Sequence, residues 1–474
     1  MKKTETFTDR KLRFESRFDD PAIFDCGDFN ILKIAQHAVV RDRSFDLFPF
    51  WRLPVFFIRV LFLLKRARVK MHRHKVVHWQ HTLRNLKGRK HLIIDVPRKT
   101  HDAMGQDVSL YFERIVDGLG RQDCIYILGG LRANGTIDYD LCFRDVYELF
   151  AFKSISKDDR TLLKNLRLTF MNIEKNTRLT RDELHRLKGA IEIFWRQYRT
   201  WRKILEYLNP SVAMVIPHYQ TEFLFLALKR KKIKTIEMQH GLIANEDIFY
   251  IYPDKVAPVV DRALFADRLF VYGDFWRQRV ERGAEYRNKV VVSGFYPYRN
   301  REYSQAFLDF KKAERLGERT VILITVQKGL EGIFEEYIHD LSKRITPTHP
   351  DALILVKPHP SPRYSIDSLN ALPNVRVMTF NLEHVMPLAT IHVSIYSTTL
   401  YDALLYGIKH NFALYVETQS DYVEAVLRSG VAEKLLPSEN PLLRLGSDKS
   451  SITPDPGLFF EEFNLDRFRS LINS

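Results

Sequence analysis

The chain has 474 residues, of which 45% are hydrophobic and 28% charged, and this excludes a disordered, collagen-like or disulfide-stapled protein. Its length exceeds what one hydrophobic core usually organises, so we expect two domains. The net charge of +15 is unusual for a metabolic enzyme and favours an anionic partner, such as nucleic acid, a phosphorylated substrate or an acidic membrane surface. Three cysteines without paired spacing predict a reducing compartment.

The amino-terminal part of the sequence has no secretory hydrophobic segment, so we expect a cytoplasmic protein. An apolar run at residues 48–64 contains two prolines and two arginines and precedes a basic cluster at 65–75. The run is too short and too charged to span a bilayer. Two interpretations stay open: a core helix with a solvated basic end, or a segment that lies on the inner face of an anionic membrane.

Regular elements become recognisable from residue 91 onwards. Apolar runs predict strands at 91–95 and 124–128, and apolar residues three and four apart predict helical structure over 146–208. A strand–helix–strand unit follows at 211–237. It places the triplet Gln-His-Gly, residues 239–241, at the carboxyl edge of a parallel sheet, where such sheets bind ligands.

Prolines and weak periodicity at 255–268 predict a domain boundary. Beyond it, short apolar runs predict strands at 268–272, 289–293, 320–325, 352–357, 375–379, 390–394 and 412–415. We therefore expect an α/β protein with a first domain over residues 1–260 and a second over 261–450. The amphipathic segment within 451–474 is predicted to be a carboxy-terminal helix that could cross back to the first domain.

Lys357 and His359 follow one predicted strand of the second domain, in the sequence Lys-Pro-His-Pro. The prolines hold the backbone around the histidine in extended geometry, so the imidazole is fixed at the end of the strand. We interpret the lysine and histidine as a pair that binds a phosphate and stabilises it as a leaving group. The alternative is a turn histidine bonded to the main chain.

Ser397, Thr398 and Thr399 stand between another predicted strand and a helix that carries Asp402. Hydroxyl and N–H groups at the start of a helix can receive an anion, although they also serve simply to cap the helix. Asp402 could accept hydrogen bonds from ribose hydroxyls or only favour the helix dipole. A nucleotide phosphate between His359 and this loop would satisfy both clusters.

His240 is the candidate for a general base on the first domain, because histidine titrates near neutral pH and can take a proton from an attacking hydroxyl. The carboxylates of Glu237, Glu246 and Asp247 are rivals for that role, or could orient the imidazole. The alternative is a structural histidine in a tight loop.

The order of these motifs resembles the two-domain GT-B glycosyltransferases of bacterial surface polysaccharide synthesis. The motifs are Gln-His-Gly, Tyr-Gly-Asp at 272–274, Gln327, Lys-Pro-His-Pro, and Tyr-Ser-Thr before the helix with Asp402. They are similar in particular to those of the capsule-synthesis group of sialyltransferases, polysialyltransferases and Kdo transferases, and to those of CDP-glycerol glycerophosphotransferases. The resemblance covers residues 211–416. The acidic-acidic-Gly motif that carries the sialyltransferase base has no counterpart.

The resemblance implies a GT-B fold, in which two Rossmann-like domains face a central cleft, and an inverting, metal-independent glycosyltransferase. The donor would be a nucleotide-activated sugar, CMP-type preferred, and the acceptor an anionic surface polysaccharide or a lipid-linked glycan at the inner membrane. No cofactor, metal or nucleic acid is expected. His240 or Glu246 would activate the acceptor, and His359 would stabilise the leaving phosphate. Gln327 and Gly273 would line the donor site.

Three alternatives remain open from the sequence. The protein could be a CDP-glycerol-type glycerophosphotransferase, or a nucleotide-sugar epimerase of the same fold. It could also be a basic, non-catalytic protein that binds membrane surfaces.

Overall fold

The computed structural model describes residues 7–40, 83–96, 99–101, 107–129, 139–142, 155–216, 221–244, 247, 249–295, 303–359, 364–445 and 454–473. Glu246 and the apolar run at 48–64 lie outside these residues. The strands are β1 (Asp25–Cys26), β2 (Phe29–Asn30), β3 (His91–Asp95), β4 (Lys99–His101), β5 (Asp107–Ser109), β6 (Cys124–Leu128), β7 (Leu141–Cys142), β8 (Val212–Val215), β9 (Lys234–Met238), β10 (Arg268–Val271), β11 (Val290–Val292), β12 (Val321–Thr325), β13 (Leu353–Lys357), β14 (Val375–Val377), β15 (Ile391–Ser394), β16 (His410–Leu414) and β17 (Glu433–Leu435).

The α-helices are α1 (Phe7–Glu15), α2 (Leu32–Val40), α3 (Glu113–Leu119), α4 (Lys157–Asn176), α5 (Arg181–Leu208), α6 (Glu222–Arg230), α7 (Asp274–Val280), α8 (Gln305–Ala313), α9 (Glu331–Ile345), α10 (Leu382–Val385), α11 (Thr399–Leu405), α12 (Ser420–Arg428), α13 (Pro456–Phe459) and α14 (Leu465–Asn473). Within the described residues, none of these helices has the combination of length and apolar composition that a bilayer-crossing segment needs.

Two parallel sheets organise the described chain. Their strand orders are β11-β10-β9-β8-β3-β6-β7 and β14-β13-β12-β15-β16-β17. In each sheet the chain starts in the middle, adds strands to one side, and then returns to add strands to the other side, which is the order of a Rossmann-like domain. The prediction of two Rossmann-like α/β domains is confirmed.

Both faces of the sheets are buried, which explains why their strands read as short, nearly continuous apolar runs. In β3, Leu92 and Ile94 join one core cluster, whereas Ile93 points into a second cluster on the opposite face. The alternation follows from the two-residue period of a strand. The first cluster also takes in apolar residues of α2, α4 and α5, so the amino-terminal helices complete the core of the first domain.

The helical span predicted over 146–208 is two helices within the described residues. Ser156 and Asp159 form a capping box that starts α4, and Thr180 and Glu183 form another that starts α5. Each box satisfies N–H groups that the first helical turn leaves without a partner. Asn209 ends α5 in the left-handed conformation, as is common at helix ends.

The boundary predicted at residue 260 has to move towards the carboxyl terminus. The strands β10 and β11, which we assigned to the second domain, complete the first sheet: β10 pairs in parallel with β9, and β11 pairs in parallel with β10. The first sheet therefore extends to Val292, and the second sheet begins at Val321. The composition of a strand reveals that it is buried, but it does not reveal which of two parallel sheets it joins.

The carboxy-terminal segment packs on the first domain. Glu461 N donates to the carbonyl of Tyr272, and Phe295 N donates to the carbonyl of Glu461. The predicted helix within 451–474 is therefore interrupted: it forms as the short α13 and the later α14, and the extended residues between them make these main-chain contacts. Phe468 and Ile472 of α14 then cover the second core cluster of the first domain.

An aromatic contact joins the carboxyl edges of the two sheets. Helix α7 starts after β10 and carries Trp276, and helix α11 starts after β15 and carries Tyr401; their ring centroids are 4.9 Å apart. Phe459 of the tail packs against both rings. Because both helices begin at carboxyl ends of strands, this contact turns the two ligand-binding edges towards one cleft.

Candidate functional site

The strands β12 and β15 are neighbours at the point where the chain of the second domain reverses its direction of winding. Ligands of Rossmann-like sheets bind at the carboxyl ends of such a pair. Here the Oε1 atom of Gln327, after β12, accepts a hydrogen bond of 3.0 Å from the N–H of Tyr396, after β15. Gln327 therefore ties together the two loops that line this position.

His359 and Ser397 lie at the same edge of the second sheet, on either side of this position. His359 follows β13 and Ser397 follows β15, and both strands pair with β12. Two strand spacings, about 10 Å, therefore separate the two loops. Both side chains are half-buried. The structure thus brings the two predicted clusters to one edge, with Gln327 between them.

Ser397 shows the capping contact that we considered as an alternative. Its Oγ accepts a hydrogen bond of 3.2 Å from Thr399 N, which starts α11. A hydroxyl that accepts in this way keeps its own proton to donate to a ligand. Helix α11 is only seven residues long, and one of its first N–H groups is already bonded. The start of this helix is therefore a weaker anion-binding site than the sequence suggested.

Thr399 is linked to the interior of the sheet by a chain of polar groups. Its hydroxyl lies 2.7 Å from Thr325 Oγ1, which lies 3.0 Å from His392 Nε2. On the other side of the ring, His392 Nδ1 lies 2.8 Å from Asn411 Oδ1. Thr325, His392 and Asn411 are all buried.

The direction of the protons in this chain follows from its inner end. Asn411 Nδ2 donates to two main-chain carbonyls, each at 2.6 Å, so its Oδ1 accepts from His392 Nδ1. Burial lowers the pKa of His392 to about 4, so the ring is neutral and Nε2 accepts from Thr325. Thr325 must then accept from Thr399. The hydroxyl proton and the N–H of Thr399 are both committed within the protein, so Thr399 anchors the loop and is not a phosphate donor.

Lys357 and Asp402 have shifted pKa values for the same reason, the burial of a charge. Burial lowers the pKa of Lys357 to about 8, with Glu383 opposing the shift. Burial raises the pKa of Asp402 to about 7. At neutral pH the lysine is cationic and only partly compensated, which suits an incoming phosphate. The carboxyl of Asp402 is close to half-protonated, so it can either accept from or donate to a sugar hydroxyl.

Gly273 has a packing role that the sequence did not predict. A Cβ atom at this position would lie 2.5 Å from the carbonyl carbon of Phe459. The carbonyl oxygen of Phe459 accepts a hydrogen bond of 2.9 Å from Trp276 Nε1. The glycine is therefore explained by the close passage of the tail, and we leave it out of the donor site proposed below.

His240 follows β9 at the carboxyl edge of the first sheet and is half-buried. Its main-chain carbonyl accepts a hydrogen bond of 2.8 Å from the hydroxyl of Tyr111, and its Nδ1 lies 3.5 Å from the hydroxyl of Tyr250. Tyr111 therefore fixes the main chain of the loop, and Tyr250 contacts the imidazole ring; both tyrosines belong to the first domain. This is the geometry of an oriented imidazole.

Two of the rival carboxylates are placed by the structure. Glu237 is fully buried and accepts hydrogen bonds from two tyrosine hydroxyls. Asp247 is also buried, and its carboxylate accepts from Phe249 N at 2.9 Å, which stabilises its own turn. Neither fits an acceptor base as well as His240. Glu246 lies outside the described residues, so its role stays a prediction.

A small apolar pocket adjoins the His240 loop at the same edge of the first sheet. Its lining includes main-chain neighbours of the loop and a residue of the tail: Leu110, Tyr111, Ile115, Met238, Gln239, Tyr272, Gly294, Phe295 and Phe463. The cavity has a volume of about 20 Å³, which is the space of about one water molecule, so it is too small to take a substrate group.

Sequence analysis did not identify Asp95, which lies where the first sheet reverses its winding, at the end of β3. It is fully buried. Its Oδ2 accepts from the hydroxyls of Ser109 and Tyr126 at 2.5 Å, and its Oδ1 accepts from Val96 N at 2.7 Å. These bonds fasten the edge of the first sheet. The sequence feature that could have identified Asp95 is its place as an acidic residue at the end of an apolar strand.

Within the described residues, no three His, Cys, Asp or Glu side chains are grouped so that they could hold a metal ion.

A comparison with protein-family models finds no match, and neither does a search of curated protein sequences. Among solved structures, the chain is similar to S. aureus MnaA with UDP, at 12% identity and a TM-score of 0.47, covering 81% of this chain and 96% of that one. It is similar to the calicheamicin glycosyltransferase CalG4, at 12% identity and a TM-score of 0.44, covering 81% and 98%.

A third similar structure is the UDP-GlcNAc 2-epimerase from Neisseria meningitidis bound to UDP-GlcNAc, at 13% identity and a TM-score of 0.44, covering 81% of this chain and 100% of that one. Similarities at this distance carry no argument about activity. The strand order and the site define the protein as a two-domain, Rossmann-like α/β protein with polar clusters at the carboxyl edges of both sheets.

Proposed function

We propose that the protein is an inverting, metal-independent glycosyltransferase that uses a nucleotide-activated sugar, CMP-type preferred. The observation that carries the proposal is the edge of the second sheet, where Lys357 and His359 lie on one side of the β12 loop and Ser397 on the other. A nucleotide phosphate at this edge would meet a cation, an imidazole and a hydroxyl. In this proposal the edge of the first sheet, with His240, would face the donor across the cleft between the domains.

In the proposed reaction, His240 takes the proton of the acceptor hydroxyl, and the oxygen of that hydroxyl attacks the anomeric carbon of the donor. The bond between that carbon and the phosphate oxygen breaks, and its electrons stay on the phosphate. Lys357, His359 and Ser397 stabilise the charge that develops there, which is where such stabilisation has its largest effect. A single displacement inverts the anomeric configuration.

We propose an anionic surface polysaccharide or a lipid-linked glycan as the acceptor. The chain carries 73 Lys and Arg residues against 58 Asp and Glu, and such an excess attracts polyanions and anionic membranes by long-range electrostatics.

The experiment that tests this function is incubation of the purified protein with CMP-, CDP-, UDP- and GDP-activated donors, each with and without capsular or lipid-linked acceptor glycans. Release of nucleotide that requires an acceptor, with transfer of the sugar, is the expected result. Conversion of the sugar in the absence of acceptor would replace the proposal by the epimerase. Transfer of glycerol phosphate from CDP-glycerol would replace it by the glycerophosphotransferase.

Nucleotide affinity should fall as the pH rises above about 8, because the pKa of Lys357 in the free protein is lowered to about 8 by burial. Below this pH the ammonium is charged and attracts phosphate, whereas above it each binding event must take up a proton. The dissociation constant should therefore rise by up to about tenfold per pH unit until the pKa of the complex is reached.

The measurement is calorimetric titration of the nucleotide between pH 7 and 9.5, where the phosphates themselves stay ionised. Lys357→Arg is the matched control, because arginine keeps its charge throughout this range and should give a flat profile. A flat profile for the unmodified protein would show that Lys357 does not face the phosphate.

A further inference from the structure

Glu237 is a buried carboxylate at the end of β9, three residues before His240. Its Oε1 accepts a hydrogen bond of 2.8 Å from the hydroxyl of Tyr250, and its Oε2 accepts one of 2.8 Å from the hydroxyl of Tyr286. All three side chains are buried. The two phenols therefore donate to the same carboxylate at the same distance, although they lie on different segments of the chain.

Tyr250 also contacts the candidate base. The hydroxyl oxygen of Tyr250 lies 3.5 Å from Nδ1 of His240. This is a long hydrogen bond, but contacts of this kind in unliganded sites often shorten when the substrate binds. Tyr250 thus stands between a buried carboxylate and the imidazole.

The position of each proton follows from charge and distance. The Tyr250 hydroxyl has one proton, and the carboxylate at 2.8 Å is both closer and more strongly accepting than a neutral imidazole nitrogen at 3.5 Å. The phenol therefore donates to Glu237 and turns a lone pair towards His240. Only a protonated Nδ1 makes a favourable contact with that lone pair.

Lys33, on α2, supplies the cation for this buried region. Its side chain is buried, and its Nζ donates to the carbonyl of Leu264 at 2.8 Å. Burial lowers the pKa of Lys33 to about 8, while the carboxylates of Glu222 and Glu237 oppose the shift. The ammonium of Lys33 therefore lies in the same buried interior as the carboxyl group of Glu237 and attracts it.

We propose that Tyr250 and Glu237 are positioning residues that hold His240 in the tautomer with its proton on Nδ1, so that Nε2 is the atom that takes the acceptor's proton. The inference rests on the proposed role of His240 as the base. The tautomer itself, however, is a property of the protein without substrate and can be measured without any donor or acceptor.

The test compares Tyr250→Phe with Tyr286→Phe. Each variant removes one hydroxyl from the same carboxylate, and the first also removes the hydroxyl that lies 3.5 Å from Nδ1 of His240. Nitrogen-15 NMR of histidine-labelled protein, above the pH at which the ring titrates, reports the tautomer, and the signal of His240 is identified by its loss in His240→Gln.

We expect a protonated Nδ1 in the unmodified protein and in Tyr286→Phe, and a mixture of tautomers in Tyr250→Phe. We expect kcat to fall by roughly 10- to 100-fold in Tyr250→Phe only, which is part of the 10²–10⁴-fold that a general base supplies.

A protonated Nε2 in the unmodified protein would overturn the proposal, and so would equal losses of kcat in the two phenylalanine variants. If Tyr250→Phe changes the tautomer but leaves the turnover of a working donor–acceptor pair unchanged, His240 is not the base, and the proposal falls with that role. If no donor is turned over at all while the tautomer is as expected, this result contradicts the proposed reaction but supports the hydrogen-bond assignment.

Discussion

Replacement of His240 by alanine should lower kcat for sugar transfer by about 10²–10⁴-fold, which is the usual contribution of a general base. The variant loses the group that takes the acceptor's proton, whereas the donor-binding edge of the second domain is unchanged. Steady-state kinetics with saturating acceptor measure the effect, and titration with the nucleotide should give an unchanged dissociation constant.

His185→Ala is the matched control for this variant. His185 is an exposed histidine on α5 of the same domain and takes no part in the proposed site. Its replacement should leave kcat and KM unchanged. Equal activities of His240→Ala and His185→Ala would assign the base to another group, such as Glu246.

Replacement of His359 by alanine should lower kcat by about 10²–10³-fold, the loss that follows when one group that stabilises developing charge is removed. It should also weaken nucleotide binding, because the imidazole is expected to contact the phosphate in the ground state as well. The side chain is half-buried in a loop, so the folded structure should persist, as circular dichroism and thermal unfolding can verify.

His339→Ala provides the comparison, since His339 is exposed on α9 of the second domain, away from the carboxyl edge of the sheet. Full activity is expected for this variant. Normal transfer rates in His359→Ala would remove the imidazole from the leaving-group site and with it the main reason for grouping the two loops.

Periodicity predicted most of the strands and both parallel sheets, because buried strands are marked by composition alone. It could not assign β10 and β11, whose apolar sequences fit either sheet; their place is decided by the pairing of β10 with β9 and of β11 with β10. It also overextended the last helix, because the segment before α14 forms main-chain bonds with Tyr272 and Phe295 that have no local sequence signal.

The positions of the candidate site residues could be predicted, since polar residues after strands must lie at the carboxyl edge. Their individual hydrogen bonds could not. The proton direction at Thr399 depends on Thr325, His392 and Asn411, which come from three other places in the chain. The contact of Tyr250 with His240 depends in the same way on the fold of the loop between them. Such contacts are decided by packing, which periodicity does not encode.

The central claim is that one nucleotide binds between the His359 loop and the Ser397 loop. Calorimetric titration of the protein with CMP, CDP, UDP and GDP, repeated with His359→Ala and His339→Ala, tests it most directly. We predict saturable binding of at least one nucleotide, weakened by about tenfold or more in His359→Ala, which corresponds to the loss of about 1.4 kcal/mol, and unchanged in His339→Ala. Binding of no nucleotide, or equal affinity in all three proteins, would contradict the claim.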